Sequence, residues 1–425
     1  MIGSVKGTRD LLPPETRVWN RVESVAREVF ALYGYDEIRT PVLESTELFV
    51  RSVGEATDIV HKEMYTFTDR GDRSVTLRPE NTAGVARAYV EHSLAQAGRP
   101  WKLFYMGPQF RYERPQKGRY REFRQIGAEV LGDPTAFMDA DLIVMLFDFL
   151  GRLGFKGLSV SLNSVGTEAT RSAYVEAVRS FFSSNENVQA LGEDDRRRLA
   201  DNPLRVLDSK DPAIKNLIAS STFPKMVDLL PSLDPASDAH HGELKALLLN
   251  SKVPFKEDPL LVRGLDYYTR TVFEVTAEGL GAQNAVLGGG RYDKLISDLG
   301  GPKTPGIGFA IGEDRLIDVL PEAFRKEALE GAGRIVVVPV GAVDMPDAWE
   351  IAKTVRSGGV PVDFHSGYRG LGHALKSAEK SGAVLAVLVG QEERLRGTVV
   401  VKDLAKRAQE EVPREGLVEA LRARL

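Results

Sequence analysis

Residues 101–131 read WKLFYMGPQFRYERPQKGRYREFRQIGAEVL, and this stretch decides the fold of the first domain. Its two ends, WKLFYMG and FRQIGAEVL, are apolar and rich in aromatic and β-branched residues, which is typical of strands. Between them, Pro115 and Gly118 interrupt the chain, so one continuous helix is excluded. The stretch therefore predicts two antiparallel strands that are joined by a long loop.

The loop between these strands is strongly basic. Residues 110–124 hold six Lys or Arg side chains, with aromatic residues between them. A charge run is usually a solvated face, but guanidinium groups on strands also bind phosphate oxygens in pairs. The formal net charge of the chain is −4, so any polyanion has to be bound by a local patch. We therefore favour a polyphosphate or a nucleic-acid end as the partner of this loop.

The composition is that of a folded protein with more than one domain. The length of 425 residues predicts two or three domains, and 43% hydrophobic with 27% charged residues gives no sign of disorder. The absence of cysteine excludes disulfides and cysteine-ligated zinc. We recognise no targeting segment or membrane-spanning run, so we expect a cytoplasmic protein with no membrane partner. His240 and His241, in SDAHHGE, are more typical of a solvated loop than of a metal site.

Up to about residue 325, the pattern predicts an α+β domain with an antiparallel sheet. Apolar residues at helical spacing run over residues 16–35, and a short strand that contains Pro41 follows, at a sheet edge or an interface. Residues 64–80 alternate as a hairpin does. From about 166 to 254 the chain becomes helical and charged, and strand character returns afterwards. We interpret this part as a helical insertion into the first domain.

The last part of the chain, residues 333–425, follows a polar linker at about 321–333. Apolar strands alternate with helices there, which predicts a small α/β domain. It holds 14 Lys and Arg residues against 12 Asp and Glu, with neither a Walker lysine nor a dinucleotide fingerprint. A binding module is therefore a better interpretation than a second catalytic site.

The polar side chains of the first domain suit nucleotidyl transfer. The candidates are Arg111, Arg263 and Arg315 for phosphates, Glu80 for an ammonium group, and Glu129 with Tyr268 for a polar side chain. Such transfers need mostly positioning and charge neutralisation, so an arginine-rich site without a protein nucleophile is chemically sufficient. The run GGGRYD at 288–293 has two open interpretations, relief of packing within a sheet or close approach of the backbone to a ligand.

From KGTRDLLP near its start to GTVVVKDL near its end, the chain resembles bacterial-type histidyl-tRNA synthetases, which are class II aminoacyl-tRNA synthetases. The class motifs would be motif 1 at about 20–45, motif 2 at about 102–132 and motif 3 at about 305–320. LVRGLDYYTRTVFE and GGGRYD are similar to two signatures peculiar to the histidine enzyme. The resemblance implies a class II catalytic domain over residues 1–325, interrupted by the insertion at about 166–254, and an α/β anticodon-binding domain over 333–425.

The resemblance also implies a homodimeric ligase that activates L-histidine with ATP and Mg²⁺ and transfers it to the 3′ end of the histidine tRNA. The implied ATP-binding residues are Arg111, Glu113, Phe123 and Arg315. The implied histidine-binding residues are Glu80, Asn81, Thr82, Gln125, Glu129, Tyr267 and Tyr268. Arg263 and Arg111 would be catalytic, because both would lie at the α-phosphate. No protein side chain is identified as a metal ligand.

Two non-catalytic alternatives stay open. One is the histidine-sensing regulatory subunit of ATP phosphoribosyltransferase, which resembles the synthetase core. That subunit usually lacks the C-terminal domain and the arginine that stands here at position 263. The other alternative is an RNA-binding sensor of uncharged tRNA, which would not need all three phosphate-binding arginines. The sequence departs from the family pattern at Asn81, Asp314 and Gly372.

Overall fold

The computed structural model divides the chain into two compact units, Met1–Arg325 and Lys326–Leu425. The described residues are 2–54, 57, 59–114, 119–184, 187, 189, 191–201, 203–209, 211–220, 222–262, 267–278, 285–330, 333–364, 366 and 370–424. Arg263, predicted to be catalytic, and residues 115–118 of the basic loop lie outside the described residues.

The first unit combines helices with two sheets. Its helices are α1 (Glu15–Leu32), α2 (Thr46–Val53), α3 (Thr82–Glu91), α4 (Ala136–Arg152), α5 (Glu168–Ser183), α6 (Glu193–Asp201), α7 (Pro212–Ile218), α8 (Met226–Leu233), α9 (Pro235–Asn250), α10 (Leu295–Asp298), α11 (Glu313–Asp318) and α12 (Glu322–Glu330), which continues into the second unit. Its strands are β1 (Asp36–Glu37), β2 (Leu43–Ser45), β3 (Tyr65–Thr68), β4 (Ser74–Leu77), β5 (Trp101–Phe110), β6 (Glu122–Leu131), β7 (Ser159–Ser164), β8 (Phe255–Glu257), β9 (Thr269–Thr276), β10 (Ala285–Arg291) and β11 (Gly306–Gly312).

The larger sheet has eight strands in the order β1-β5-β6-β11-β10-β9-β7-β8. Its central pairs are antiparallel, and the pairs at its two edges, β1 with β5 and β7 with β8, are parallel. Strands β5 and β6 form the hairpin predicted from residues 101–131, with Trp101 opposite Leu131 and Phe110 opposite Glu122. The predicted α+β class with an antiparallel sheet is confirmed.

One face of this sheet packs against α1 and α4 through aromatic rings. The ring centroid of Phe30 in α1 lies 5.3 Å from that of Phe104, 5.8 Å from that of Phe149 and 6.1 Å from that of Phe309. All four rings are buried, and aromatic side chains contribute strongly to the stability of a core. Because side chains alternate along a strand, the odd-numbered residues of β6 are left on the opposite face.

Helices α5 to α9 lie between β7 and β8, in the stretch expected to be a helical insertion. Helices α5 to α8 share a hydrophobic core that includes Tyr174, Val178 and Phe223. The expectation that His240 and His241 occupy a solvated loop is wrong, because both are buried in α9. The polar composition of this segment was misleading, since His240 finds its partner inside the protein.

That partner is Asp139 of α4, a buried carboxylate that joins α9 to the sheet. Its Oδ2 lies 2.8 Å from Nε2 of His240 and accepts a hydrogen bond of 2.7 Å from the hydroxyl of Thr271, while its Oδ1 accepts from Arg291. The side chains of Asp139 and Arg291 are both fully buried. Burial raises the pKa of Asp139, but the bonds from His240 and Arg291 outweigh it and hold that pKa below its ordinary value. The network therefore anchors the end of β10 to α4 and α9.

The smaller sheet, in the order β2-β4-β3, contains the hairpin expected over residues 64–80. Pro41 lies between β1 and β2, so the prediction of a single strand around it is wrong. Proline has no N–H to donate to a ladder, and the chain forms two short strands on its two sides. One face of this sheet exposes apolar side chains, with Leu43 at 49% and Phe67 at 47%.

The second unit is a mixed five-stranded sheet with helices. Its helices are α13 (Met345–Ser357), α14 (Leu371–Lys380), α15 (Gln391–Leu395) and α16 (Leu417–Arg422), and its strands are β12 (Arg334–Pro339), β13 (Val362–Phe364), β14 (Ala383–Val389), β15 (Thr398–Asp403) and β16 (Gln409–Pro413). The strand order is β13-β12-β14-β15-β16, with the first three parallel. The expected polar linker is wrong in part, because α12 is a helix that buries Phe324 and Ala328. The edge strand β16 was missed, since its sequence QEEVP is mostly polar and exposed.

Replacing Asp139 by alanine tests the buried network. The change removes the fully buried carboxylate partner of Arg291, which keeps only the partly exposed Asp293, so we expect the free energy of unfolding to fall by about 3–5 kcal/mol. Asp148→Ala on the same helix is the matched control, because Asp148 forms a partly exposed i,i+4 pair with Arg152 that is worth less than about 1 kcal/mol. Equilibrium unfolding in guanidinium chloride measures both, and similar losses would contradict the account.

Candidate active site

A cavity of about 240 Å³ opens on the sheet face opposite the aromatic cluster. Seven residues that were predicted to bind substrates line it, namely Glu80, Thr82, Arg111, Gln125, Glu129, Tyr267 and Tyr268. They come from the start of α3, the hairpin β5–β6 and the segment before β9, so distant parts of the sequence converge here. The remaining lining residues were not predicted individually, and they are Ile59, Gly288, Tyr292, Gly308, Phe309 and Ala310.

The floor of the cavity is formed by very small residues. Gly308 of β11 pairs with Glu129, and Ala310 pairs with Gly127 on one side and with Gly288 on the other. A Cβ atom on Gly308 would lie 1.6 Å from a carboxylate oxygen of Glu129, so only glycine leaves room for that carboxylate. The small residues of the floor therefore leave the space that the carboxylate of Glu129 occupies beside the cavity.

The glycine run at 288–290 relieves packing within the sheet, and its first residue borders the cavity. Gly288 lines the cavity. A Cβ on Gly289 would lie 2.3 Å from the carbonyl oxygen of Gly308, and one on Gly290 would lie 2.8 Å from the ring of Tyr268. Relief of packing within the sheet, one of the two open interpretations, is therefore the role of Gly289 and Gly290.

Glu129 is a buried carboxylate held by three hydroxyl groups. Its Oε1 accepts hydrogen bonds of 2.6 Å from Thr82 and 3.2 Å from Tyr105, and its Oε2 accepts one from Tyr292. Burial raises the pKa of Glu129 to about 8, although these hydroxyl donors favour the ionised form. The group is therefore mostly protonated at neutral pH in the free protein, and a ligand that donates to it would favour its ionisation.

Tyr292 is a site residue that the sequence reasoning did not assign. It follows Arg291 in GGGRYD, and the buried pair of Arg291 with Asp139 fixes the backbone just before it. Its ring packs edge-on against Tyr267, with centroids 5.7 Å apart, and covers Gly306 closely. The glycine run marked this region, but nothing local indicated that the hydroxyl of Tyr292 reaches Glu129.

Glu80 also lines the cavity, just before the start of α3. Its carboxylate accepts hydrogen bonds of 2.7 Å from the N–H of Thr82 and 2.9 Å from the N–H of Ala83, so it caps the helix. Burial raises its pKa, and these two backbone donors oppose that shift. Asn81 does not line the cavity, because its side chain oxygen accepts a 2.5 Å bond from Thr40.

The residues that were predicted to bind ATP begin at the rim of the cavity. Arg111 lies 5.3 Å above the ring of Phe123, and its Nε donates to the carbonyl oxygen of Pro79 at 2.8 Å. Oε2 of Glu113 lies 3.4 Å from Nη1 of Arg119, across the base of the basic loop. Arg111 lines the cavity, whereas Phe123, Glu113 and Arg315 lie outside its described lining.

Arg315 lies in the first turn of α11, whose acidic residues are bound to β6. Arg124 donates its Nε to Glu313 at 3.2 Å, and its backbone N–H donates to Asp314 at 2.9 Å. Burial raises the pKa of Glu313 to about 8 in spite of Arg124. These contacts were not predicted, and they attach the helix that carries Arg315 to the strand that carries Phe123.

Tyr267 and Tyr268 separate the cavity from a second, larger space. This space measures about 650 Å³ and lies between α5 and the start of α10. The ring centroids of the two tyrosines are 4.8 Å apart, so they form a continuous aromatic wall. The cavity therefore borders the helices between β7 and β8 through these two side chains.

Among the described residues, no group of three or more His, Cys, Asp or Glu side chains could hold a metal ion. No helix in the described parts of the chain is long and apolar enough to cross a membrane.

Comparison with known proteins gives a consistent result. The histidyl-tRNA synthetase family matches residues 7–316, and the anticodon binding domain family matches residues 334–424. The histidine–tRNA ligase of Koribacter versatilis is 48% identical over 428 residues, which cover 98% of this chain and 95% of that protein.

Two solved structures are similar over nearly the whole chain. The apo histidyl-tRNA synthetase of S. aureus has a TM-score of 0.80 and 34% identity, and the match covers 99% of this chain and 100% of that one. A Bacillus halodurans protein described as an ATP phosphoribosyltransferase regulatory subunit/histidyl-tRNA synthetase has a TM-score of 0.64 and 25% identity, with coverage of 92% and 98%.

The raised pKa of Glu129 predicts how stability depends on pH. A carboxyl group whose folded pKa is about 8, above its ordinary value of 4.5, stabilises the fold below pH 4.5, and this stabilisation is lost as pH rises through 8. Glu129→Gln keeps the neutral shape, so the free energy of unfolding should fall less steeply between pH 5 and 8, by up to about 1.4 kcal/mol per pH unit. Denaturant unfolding across this range measures the slope, with the exposed Glu122→Gln on the same strand as control. An unchanged slope in Glu129→Gln would contradict the prediction.

Proposed function

The chain belongs to the histidyl-tRNA synthetase family, and we propose that its cavity binds the L-histidine that this ligase activates with ATP. The family and the ligase activity rest on matches across almost the whole chain. The observation that carries the assignment of the site is the convergence of Glu80, Glu129 and Arg111 on one small cavity. Glu80 can accept from an ammonium group, Glu129 can accept from a polar ring, and Arg111 can bind a phosphate. Together they suit an amino acid that is about to be adenylated.

Histidine lies in this proposal with its imidazole towards Glu129. A ring N–H donates to the buried carboxylate, and Tyr268 binds the ring from the side, with Tyr267 next to it. Glu80 accepts from the ammonium group, while Thr82 and Gln125 bind the amino-acid backbone. The carbonyl oxygen of the Gln125 side chain is buried and has no partner within the described structure, which fits a role in binding a ligand. We do not include Asn81, because its side chain points to Thr40.

ATP lies over β6 and the base of the basic loop. Arg111 binds the α-phosphate, Phe123 stacks on the adenine, Glu113 accepts from its amino group, and Arg315 binds the γ-phosphate. Mg²⁺ enters with the phosphates of ATP, because Mg²⁺ in nucleotide enzymes is often held mainly by substrate phosphates and water.

The reaction proceeds in two steps at this site. A carboxylate oxygen of histidine attacks the α-phosphorus of ATP, the bond to the β-phosphate breaks, and pyrophosphate leaves. Arg111 and Arg263 stabilise the negative charge that grows on the α-phosphate oxygens. A ribose hydroxyl at the 3′ end of the histidine tRNA then attacks the histidyl carbonyl carbon, and AMP leaves.

The preference for histidine follows from the cost of unpaired polar groups. An amino acid without a ring N–H would leave the buried carboxyl group of Glu129 without the donor that the ligand supplies. A site built to bind a polar group typically rejects an analogue that lacks it by about 10⁴–10⁵-fold. Discrimination of this size needs no editing site.

The second unit is proposed to bind the anticodon end of the tRNA, since it matches the anticodon binding domain family. Because tRNA charging serves protein synthesis, the proposed location is the cytoplasm. A homodimer is supported by the exposed apolar face of the smaller sheet, where Leu43 and Phe67 remain about half exposed in the single chain.

A non-catalytic regulatory subunit is the alternative function. The match to the Bacillus halodurans protein extends over both units, so fold alone does not separate the two functions. The match of residues 334–424 to the anticodon binding domain family and the arginine at position 263 favour the ligase.

Pyrophosphate exchange tests the proposal directly. Among the twenty amino acids, only histidine should drive exchange of labelled pyrophosphate into ATP at a high rate. Gly308→Ala should abolish this exchange, because the added methyl group collides with Glu129. Gly151→Ala adds the same methyl group into open space on α4 and should leave exchange unchanged. Exchange driven equally by other amino acids, or a fully active Gly308→Ala, would refute the assignment.

Removing residues 333–425 tests the role of the second unit. The truncated protein should retain histidine-dependent pyrophosphate exchange but charge tRNA at least about tenfold more slowly, because it loses base and phosphate contacts. Light scattering must first confirm that the truncated protein has the same oligomeric state as the full chain. Undiminished tRNA charging by that truncated protein would exclude a tRNA-binding role for this unit.

A further inference from the structure

The N-terminal strap, residues 3–14, has no role in the reaction as proposed, yet it contacts both sides of the proposed ATP site. Hydrophobic burial does not explain its position, because Val5 and Leu12 are 70% and 66% exposed. The strap is instead held by polar contacts to the basic loop and to α11.

The backbone of the strap pairs with the end of the basic loop. The N–H of Arg121 donates to the carbonyl oxygen of Gly7 at 2.7 Å, and its guanidinium donates to that of Lys6 at 3.4 Å. Gly7 has a φ of +90°, and a Cβ there would lie 2.7 Å from carbons of the Arg121 side chain. The carbonyl oxygen of Arg121 accepts in turn from the N–H of Arg111 at 2.9 Å. Two hydrogen bonds therefore connect the strap to the proposed ligand of the α-phosphate.

Arg9 connects the strap to both the loop and α11. Its guanidinium carbon lies 4.3 Å from the ring centroid of Tyr120, the last residue of the loop before Arg121. Its Nη2 lies 3.0 Å from Oδ1 of Asp314, whose side chain is only 8% exposed. The other oxygen of Asp314 accepts from the N–H of Arg124 in β6. The residue after Asp314 is Arg315, the proposed ligand of the γ-phosphate.

We propose that Arg9 is a positioning residue for ATP. One guanidinium group binds the ring at the end of the basic loop and the carboxylate at the start of α11, and so sets the separation of Arg111 from Arg315. Arg9 does not contact ATP, and it acts through Tyr120 and Asp314. This inference rests on the proposed function, because it assumes that Arg111 and Arg315 bind the phosphates of one nucleotide.

The chemistry of Arg9 explains why an arginine suits this position. A planar guanidinium can stack on an aromatic ring with its face while its edge donates to a carboxylate. The ammonium group of a lysine is a point charge, which can keep the ion pair but not the stacked contact. Arg9→Lys should therefore retain part of the positioning of ATP, and Arg9→Gln should retain none.

The test measures the affinity for MgATP by isothermal titration calorimetry and histidine-dependent pyrophosphate exchange. Arg9→Gln should weaken MgATP binding and raise the Michaelis constant for ATP about tenfold, the scale of one lost ion pair and one lost cation–π contact. Arg9→Lys should give about a threefold effect. Gly7→Ala should also weaken MgATP binding, because the added methyl group would collide with the side chain of Arg121 at the other contact of the strap. Lys6→Gln, which removes an exposed positive charge from the same strap, is the matched control and should match the wild type.

The outcomes separate positioning from a merely structural role. In Arg9→Gln the Michaelis constant for histidine and the melting temperature should stay near those of the wild type. Unchanged MgATP affinity in Arg9→Gln would overturn the inference, and so would parallel losses for ATP, histidine and melting temperature. If the wild type binds MgATP more tightly than Arg9→Gln but shows no histidine-dependent exchange, the proposed function fails while the positioning role stands.

Discussion

The buried carboxylate of Glu129 is the constraint on which the first unit depends. A carboxylate removed from water must be hydrogen-bonded, and its donors come from the start of α3, from β5 and from the residue after β10. These elements therefore have to meet at one point on the sheet. The neighbouring strand β11 must also have glycine at position 308, because any side chain there would collide with the carboxylate. The cavity is the space that remains above this arrangement.

One face of the large sheet serves stability alone, and the other face also forms the cavity. The face against α1 and α4 is filled by aromatic rings around Phe30, which give the sheet a rigid support. The opposite face carries the cavity beside a second apolar cluster, which includes Tyr105, Tyr267 and Tyr292. Polar contacts add to this packing, with the buried pair of Asp139 and Arg291 beside α4 and the pair of Arg9 with Asp314 at the start of α11.

Local patterns predicted the parts of the structure that depend on local contacts. The hairpin of residues 101–131 could be predicted because alternation, proline and glycine act within a few residues. Partnerships across long sequence distances could not. Tyr292 reaches Glu129 across 163 residues, and His240 reaches Asp139 across 101, so no nearby residue signals either contact. Family resemblance supplied most of the site residues that line the cavity, but it did not indicate where the side chain of Asn81 points.

Proton release on histidine binding tests the central claim most directly. With a pKa of about 8, Glu129 is mostly protonated at pH 7 in the free protein, and accepting an imidazole N–H favours its ionised form. Calorimetry at pH 7 in two buffers of different ionisation enthalpy counts the protons released per histidine bound. Because the bound imidazole is expected in its neutral form, the wild type should release more protons per histidine than Glu129→Gln does, up to about one. Equal proton release by the two proteins would contradict ionisation of Glu129 by a bound neutral imidazole.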